Sequence, residues 1–248
     1  MLPVRDCLPT RSRAVVNYLL IAASVLVYGL EASGIIAVSP DGQSIAGALV
    51  PAELVAHPFA SLPKLLSHMF LHGGMGHLAG NMLFLWIFGD NVEDALGSVR
   101  YLCFYLACGI AGALAQVALN PHATVPMVGA SGAISGVMGA YILLYPTSPI
   151  MVVNPIPPMW LFWGVFIWLP AWLVLIEWFA GNLWSVLQPS EGQSAGGVAF
   201  AAHVSGFVAG LILSPLLRTR ARAEYDPWRG FLTGRRRFSG RRQSRARD

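Results

Sequence analysis

The sequence predicts an all-α polytopic membrane protein, a bundle of six transmembrane helices, on three observations. Of 248 residues, 55% are hydrophobic and only 11% charged, against about 25% charged in ordinary soluble domains. Six apolar stretches, at 14–30, 74–88, 101–119, 131–145, 159–179 and 197–217, contain a single acid between them, Glu177. The basic residues gather at the two ends, with Arg5, Arg11 and Arg13 before the first stretch and eleven arginines after Leu217. Stretches of this kind are helices, because a sheet edge inside a bilayer would leave backbone groups without partners.

The expected organisation is a cytoplasmic segment over 1–13, a six-helix core over 14–217 and an arginine-rich cytoplasmic tail over 218–248, expected to be disordered. The net charge of +4 therefore describes the tail. Nucleic acid is one partner for such a tail, but a cytoplasmic anchor obeying the positive-inside rule is far commoner beside a last span, and no nucleic-acid partner is expected. The first span, with arginines ahead of it, also has the look of a signal peptide. Retaining it gives an even number of spans and both termini in the cytoplasm, as in a multi-pass protein of a prokaryotic plasma (inner) membrane. Cys7, Cys103 and Cys108 lack metal or disulfide spacing and read as packing residues.

After the first span, residues 31–73 make a long outer connection with few charges, and 54–71 suit short helices lying in the membrane surface. The second span opens with His77 and Asn81, four apart and so on one helix face. The connection 89–100 is short, charged and cytoplasmic, with glycines expected to end one helix and tighten the turn to the next. Gly109 and Gly112 give the third span a small-residue face for close packing.

The fourth span begins at Ser131 and has only about fifteen residues before Pro146, about 22 Å of helix against a hydrocarbon core of about 30 Å. Ser131 should thus lie below the outer surface. Irregular backbone at that depth requires a wet cavity or burial in protein, which points to a water-filled pocket open to the outside. Pro146, Pro149, Pro155, Pro157 and Pro158 make a stiff connection to a tryptophan-rich fifth span. Glu177 is placed near the outer end of that span, snorkelling to the interface. The polar stretch 180–196 reads as a mobile cap over the pocket, and the last span carries His203.

Alternating spans put the starts of the second, fourth and sixth on one side, bringing Asn81, Ser131 and His203 to similar depth. A lone serine before a helix is usually a cap, and a lone histidine in a span is usually a bonded core residue. Together the three specify a chemistry. His203 would take the proton of Ser131 as its hydroxyl attacks a carbonyl. Asn81, with His77 and the backbone N–H of Ser131, would donate to the oxyanion at about 3 kcal/mol per donor. Gly129 and Gly132 allow close backbone approach there, and the dipole of the following helix helps Ser131. No aspartate stands ready as a third member, and Ala133 excludes the G-x-S-x-G elbow.

His77 with Asn81, the Gly129–Ala130–Ser131–Gly132 run, and Ala202, His203, Gly206 and Gly210, preceded by His68 and His72 and joined by Gly89, Glu93 and Gly97, resemble the rhomboid family of intramembrane serine proteases. The resemblance covers about 65–217. It implies a rhomboid-like six-helix bundle, a Ser131–His203 dyad, an oxyanion site at His77 and Asn81, transmembrane protein substrates and no metal or organic cofactor. It also implies that Gly206 and Gly210 pack the sixth helix closely on the fourth. The chain departs from the family pattern at Ser135, where a tyrosine often supports the histidine, and at Leu62, Pro63 and Lys64, where a tryptophan–arginine pair is often found. A non-catalytic membrane-protein binder of the same fold is the alternative, although such relatives usually lack the serine or the histidine. A transporter is poorly supported by a single intramembrane acid and no inverted repeat.

Overall fold

In the computed structural model, residues 1–38, 45–188 and 199–218 are described. The tail beyond Arg218 and residues 189–196 of the expected cap lie outside them. Six long helices form the bundle: α1 (Val15–Ala32), α2 (Met75–Leu96), α3 (Ser98–Leu119), α4 (Ser131–Leu144), α5 (Ala171–Leu187) and α6 (Phe200–Leu217). By length and composition α1, α3 and α6 can each cross a bilayer, while α4 and α5 are shorter apolar helices. α4 is central, with nearly every residue from Gly132 to Tyr141 buried.

The charged connection expected at 89–100 is mostly helix. α2 continues through Asp90, Glu93 and Asp94 to Leu96, Gly97 reverses the chain at φ +82°, and α3 starts at once. Gly89 lies inside α2, against the Asn17 side chain. Glu93 and Asp94 bind the start of α1 and the residues just before it. The buried Glu93 carboxylate accepts from Asn17 N at 2.7 Å, Val16 N at 3.1 Å and Ser98 Oγ at 2.5 Å, satisfying N–H groups that a helix start leaves without intrahelical acceptors. Asp94 accepts from Ser12 N at 2.9 Å. Asn17 donates to Leu85 O at 3.1 Å and accepts from Tyr101 OH at 2.8 Å. Glu93→Ala strips three donors of their acceptor at a site 1% exposed and is expected to cost about 2–4 kcal/mol. Unfolding in detergent measures this, and wild-type stability would contradict it.

The fifth span starts a dozen residues later than the sequence suggests. Residues before it form a three-stranded antiparallel sheet, β1 (Pro3–Asp6), β2 (Pro149–Val153) and β3 (Phe166–Pro170), in the order β1-β2-β3. β2 and β3 pair from Pro149 with Pro170 to Val153 with Phe166. The stiff proline connection is thus a strand leading into a hairpin. At its tip Trp160 Nε1 donates to Asn154 O at 2.9 Å, and Leu161, Phe162 and Trp163 are exposed. The N-terminal segment supplies β1, which pairs with β2. Because α5 begins at Ala171, Glu177 lies in its second turn, close to the helix start. The expected span put it at the C-terminal end, whereas it lies in the N-terminal half of α5, where its carboxylate meets the amino group of Met1 at 3.0 Å. Glu31, Asp90, Glu93 and Asp94 also lie within helices, so Glu177 is not the sole helical acid.

The long connection after α1 contains helical turns at Pro51–Ala56, Pro58–Ser61 and Lys64–Ser67, within the stretch expected to hold surface helices. Val55, Phe59, Leu62 and Leu66 face outward while Leu54, Leu65 and Met69 are buried. Leu49 and Met127 exchange backbone hydrogen bonds at 3.1 and 2.7 Å, tying this connection to the segment that delivers Gly129.

Candidate active site

Ser131 is the first residue of α4 and His203 lies in the first turn of α6. Their side chains meet, with Ser131 Oγ 2.8 Å from His203 Nε2. The meeting follows from how the helices cross. A Cβ added at Gly206 would lie inside contact distance of the Gly132 backbone, and one at Gly210 would lie 2.7 Å from Gly136 C and Cα. Both pairs advance by four residues, so α4 and α6 run parallel with backbones touching along one small-residue stripe. Gly112 of α3 meets Ala202 O from the other side, which fixes the turn carrying His203.

Asn81, in the second turn of α2, and His77, in the first, line with Ser131 and His203 one cavity of about 470 Å³, to which Phe84 and Trp178 contribute apolar walls. Gly129 stands beside them at φ +115°, a region that disfavours any side chain. A Cβ there would come within 2.7 Å of the His77 ring and 3.4 Å of Asn81 Nδ2. Its N–H donates to His68 O at 2.8 Å, holding the loop against the histidine-bearing segment.

His72 sets the direction of the Asn81 amide. Its Nδ1 lies 3.1 Å from Phe70 O, and a carbonyl only accepts, so Nδ1 carries the proton. Nε2 is left as the acceptor for Asn81 Nδ2 at 3.0 Å. Burial, with a lesser contribution from His77, pushes the His72 ring down to about 4, so it stays neutral and keeps that lone pair at physiological pH. One N–H of Asn81 is thereby bound and the second remains for a ligand. His72 is held in turn by its own N–H, which donates to the Glu31 carboxylate at 3.2 and 3.3 Å.

A family model described as Rhomboid domain matches residues 60–220. The chain belongs to the rhomboid family. It is 49% identical over 82 residues to Rhomboid protease GluP of Bacillus subtilis (strain 168), covering 33% of this chain and 15% of that protein. With Rhomboid protein 1, mitochondrial, of Saccharomyces cerevisiae it shares 30% identity over 154 residues, 60% of this chain and 40% of the relative. It is also 37% identical over 83 residues to Inactive rhomboid protein 1 of Drosophila melanogaster, 34% of this chain and 6% of that protein. The chain thus spans less than half the length of each of these relatives. Membership and the apolar helices make it an integral membrane protein; a relative named inactive means that chemistry must be argued from the residues.

The surroundings of His203 differ from the expectation of a supporting residue one turn after Ser131. Ser135 is fully buried, and its hydroxyl donates back along α4 to Ser131 O at 2.6 Å, so it does not reach the histidine. Support comes from α5 instead. The Trp178 ring lies 5.7 Å from the imidazole at 35°, and Asn182 Oδ1 is 2.7 Å from His203 Nδ1. The sequence reading missed Asn182 because it ended the fifth span at 179, leaving that residue in a loop. The usable signal was an amide four residues after a tryptophan, on one face once the helix is extended. Among the described residues no three His, Cys, Asp or Glu side chains converge as metal ligands; His72 and His77 meet edge to face, centroids 5.3 Å apart.

Proposed function

We propose that this rhomboid is an intramembrane serine endopeptidase that hydrolyses peptide bonds in or near transmembrane segments of membrane proteins. The observation that carries the reading is the 2.8 Å contact between Ser131 Oγ and His203 Nε2, on the wall of a cavity whose other side presents Asn81 and His77. Ser131 Oγ–H donates to Nε2. As Oγ bonds to the scissile carbonyl carbon, Nε2 takes the proton, and the carbonyl oxygen becomes an oxyanion. The second N–H of Asn81, His77 and the backbone N–H of Ser131 at the start of α4 are the donors for that charge. Collapse expels the amine, which takes the proton from His203 and leaves an ester on Ser131. Water then attacks the ester as Nε2 takes its proton, and collapse breaks the ester bond, with Nε2 returning that proton to Ser131 Oγ as the acid is released.

In this reading the core is 14–217, extended by β1, and the partners are transmembrane substrates and the surrounding bilayer. The site end of the bundle faces away from the cytoplasm, with both termini cytoplasmic in a prokaryotic inner membrane. A fluorophosphonate probe, which esterifies activated serines, tests the chemistry in native membranes. The wild type is expected to label at Ser131, with the rate reduced at least about 100-fold in His203→Ala. Equal labelling of the two would remove the histidine from the mechanism, and absence of labelling and cleavage in the wild type would favour the non-catalytic binder.

A further inference from the structure

We propose that Asn182 is a positioning residue for His203, so that the reacting pair works as a Ser131–His203–Asn182 relay completed by α5. This rests on the protease reading. The inference begins with the carboxamide. Asn182 Nδ2 donates to the Trp178 carbonyl at 2.8 Å, which fixes the amide: the reverse orientation would set Oδ1 against another acceptor. Oδ1 therefore faces His203 Nδ1 at 2.7 Å.

An amide oxygen only accepts, so Nδ1 must carry the hydrogen. The lone pair then lies on Nε2, the nitrogen 2.8 Å from Ser131 Oγ. The opposite tautomer would leave Nε2 protonated and unable to take the serine proton. Asn182 thus selects the basic tautomer and aims the ring. Its dipole also faces the imidazolium formed during attack, as the amide does in the Cys-His-Asn sites of other proteases.

Trp178 and Asn182, four apart, present ring and amide from one face of α5. Phe200 closes the remaining edge at 6.3 Å, its ring perpendicular to the imidazole. α4 offers nothing comparable, since Ser135 is bonded to its own helix. Orientation of the base is therefore coupled to the seating of α5 against α6.

The test uses the full chain in liposomes with a reporter carrying a transmembrane segment, and three substitutions. Asn182→Leu keeps the side-chain size and removes the acceptor, Asn182→Ala removes both, and Asn182→Asp retains an acceptor. Leu and Ala are expected to lower kcat about 10- to 100-fold with KM within about twofold, and to slow fluorophosphonate labelling equally. Asp keeps the acceptor for Nδ1 but sets its second oxygen against the Trp178 carbonyl, so its kcat is expected to exceed that of Leu at least about threefold while staying below wild type. Rescue by Leu but not by Asp would mean that Asn182 only packs, and wild-type kcat in all three would also overturn the proposal. If Leu and Ala fail to fold, the labelling rate of Asp against Asn182→Ser decides, with Ser expected to be the slower; equal rates would overturn it. Cleavage lost in Ser131→Ala but unaltered in the Asn182 series sinks this proposal alone, whereas cleavage retained in Ser131→Ala sinks the protease reading beneath it.

Discussion

Ser131→Ala is expected to lower cleavage of a transmembrane reporter by about 10⁴- to 10⁶-fold. The reason is that, among the described residues lining the cavity, no other hydroxyl stands in for it. Ser135, one turn on, donates to Ser131 O, and Ser205, two residues beyond His203, donates to Ala201 O. The substitution removes one side-chain hydrogen bond, to His203 Nε2, worth about 1 kcal/mol, so the unfolding midpoint should fall by only a few degrees. The double variant Ser131→Ala, His203→Ala should be no slower than Ser131→Ala alone, because the two act as a unit. Cleavage persisting in Ser131→Ala above one hundredth of the wild-type rate would overturn the mechanism.

The proximity of this serine to His203 was legible because sequence quantities constrain it. A segment of about fifteen residues between Ser131 and Pro146 limits how far α4 reaches, and parallel second, fourth and sixth helices put their starts at one end. The small residues Gly132, Gly136, Gly206 and Gly210 then close the distance. The route to His203 from α5 was not legible. Residues 159–170 are apolar enough to continue a helix, and hydropathy does not separate a short strand from a helix. What decides the matter is a partner far away in sequence: β3 is a strand because β2 pairs with it, and β2 lies against β1, more than 140 residues earlier. Moving the start of α5 to Ala171 carries Asn182 from a presumed loop onto a helix and reverses the placement of Glu177. The acids of 89–100 failed in the same way, since besides the nearby Ser98 hydroxyl Glu93 binds the N–H groups of Val16 and Asn17, and nothing local marks those two as partners.

Gly210→Val should be the most damaging substitution outside the reacting residues. Its Cβ alone would lie 2.7 Å from both Gly136 C and Gly136 Cα, and closer still to Gly136 O. These are backbone atoms at the middle of α4, flanked by Val137, Met138 and Tyr141, all buried, so no side chain can turn away to make room. The helices must separate by an ångström or more, or α6 must rotate. Overpacking of this kind costs about 3 kcal/mol or more, and here the strain has a chemical reading as well. Two turns nearer the helix starts, the same two helices hold Oγ and Nε2 at 2.8 Å, and a rise of 1 Å in their separation exceeds what a hydrogen bond tolerates. Gly210→Val is therefore expected to lower the unfolding midpoint by more than about 5 °C. Its surviving folded fraction should cleave at least about 100-fold more slowly. Gly80→Ala, where an added Cβ meets nothing within 4 Å, is the matched control on α2 and should fold normally. A Gly210→Val protein with wild-type stability and turnover would mean that α4 and α6 are not in the close contact on which the geometry of Ser131 and His203 depends.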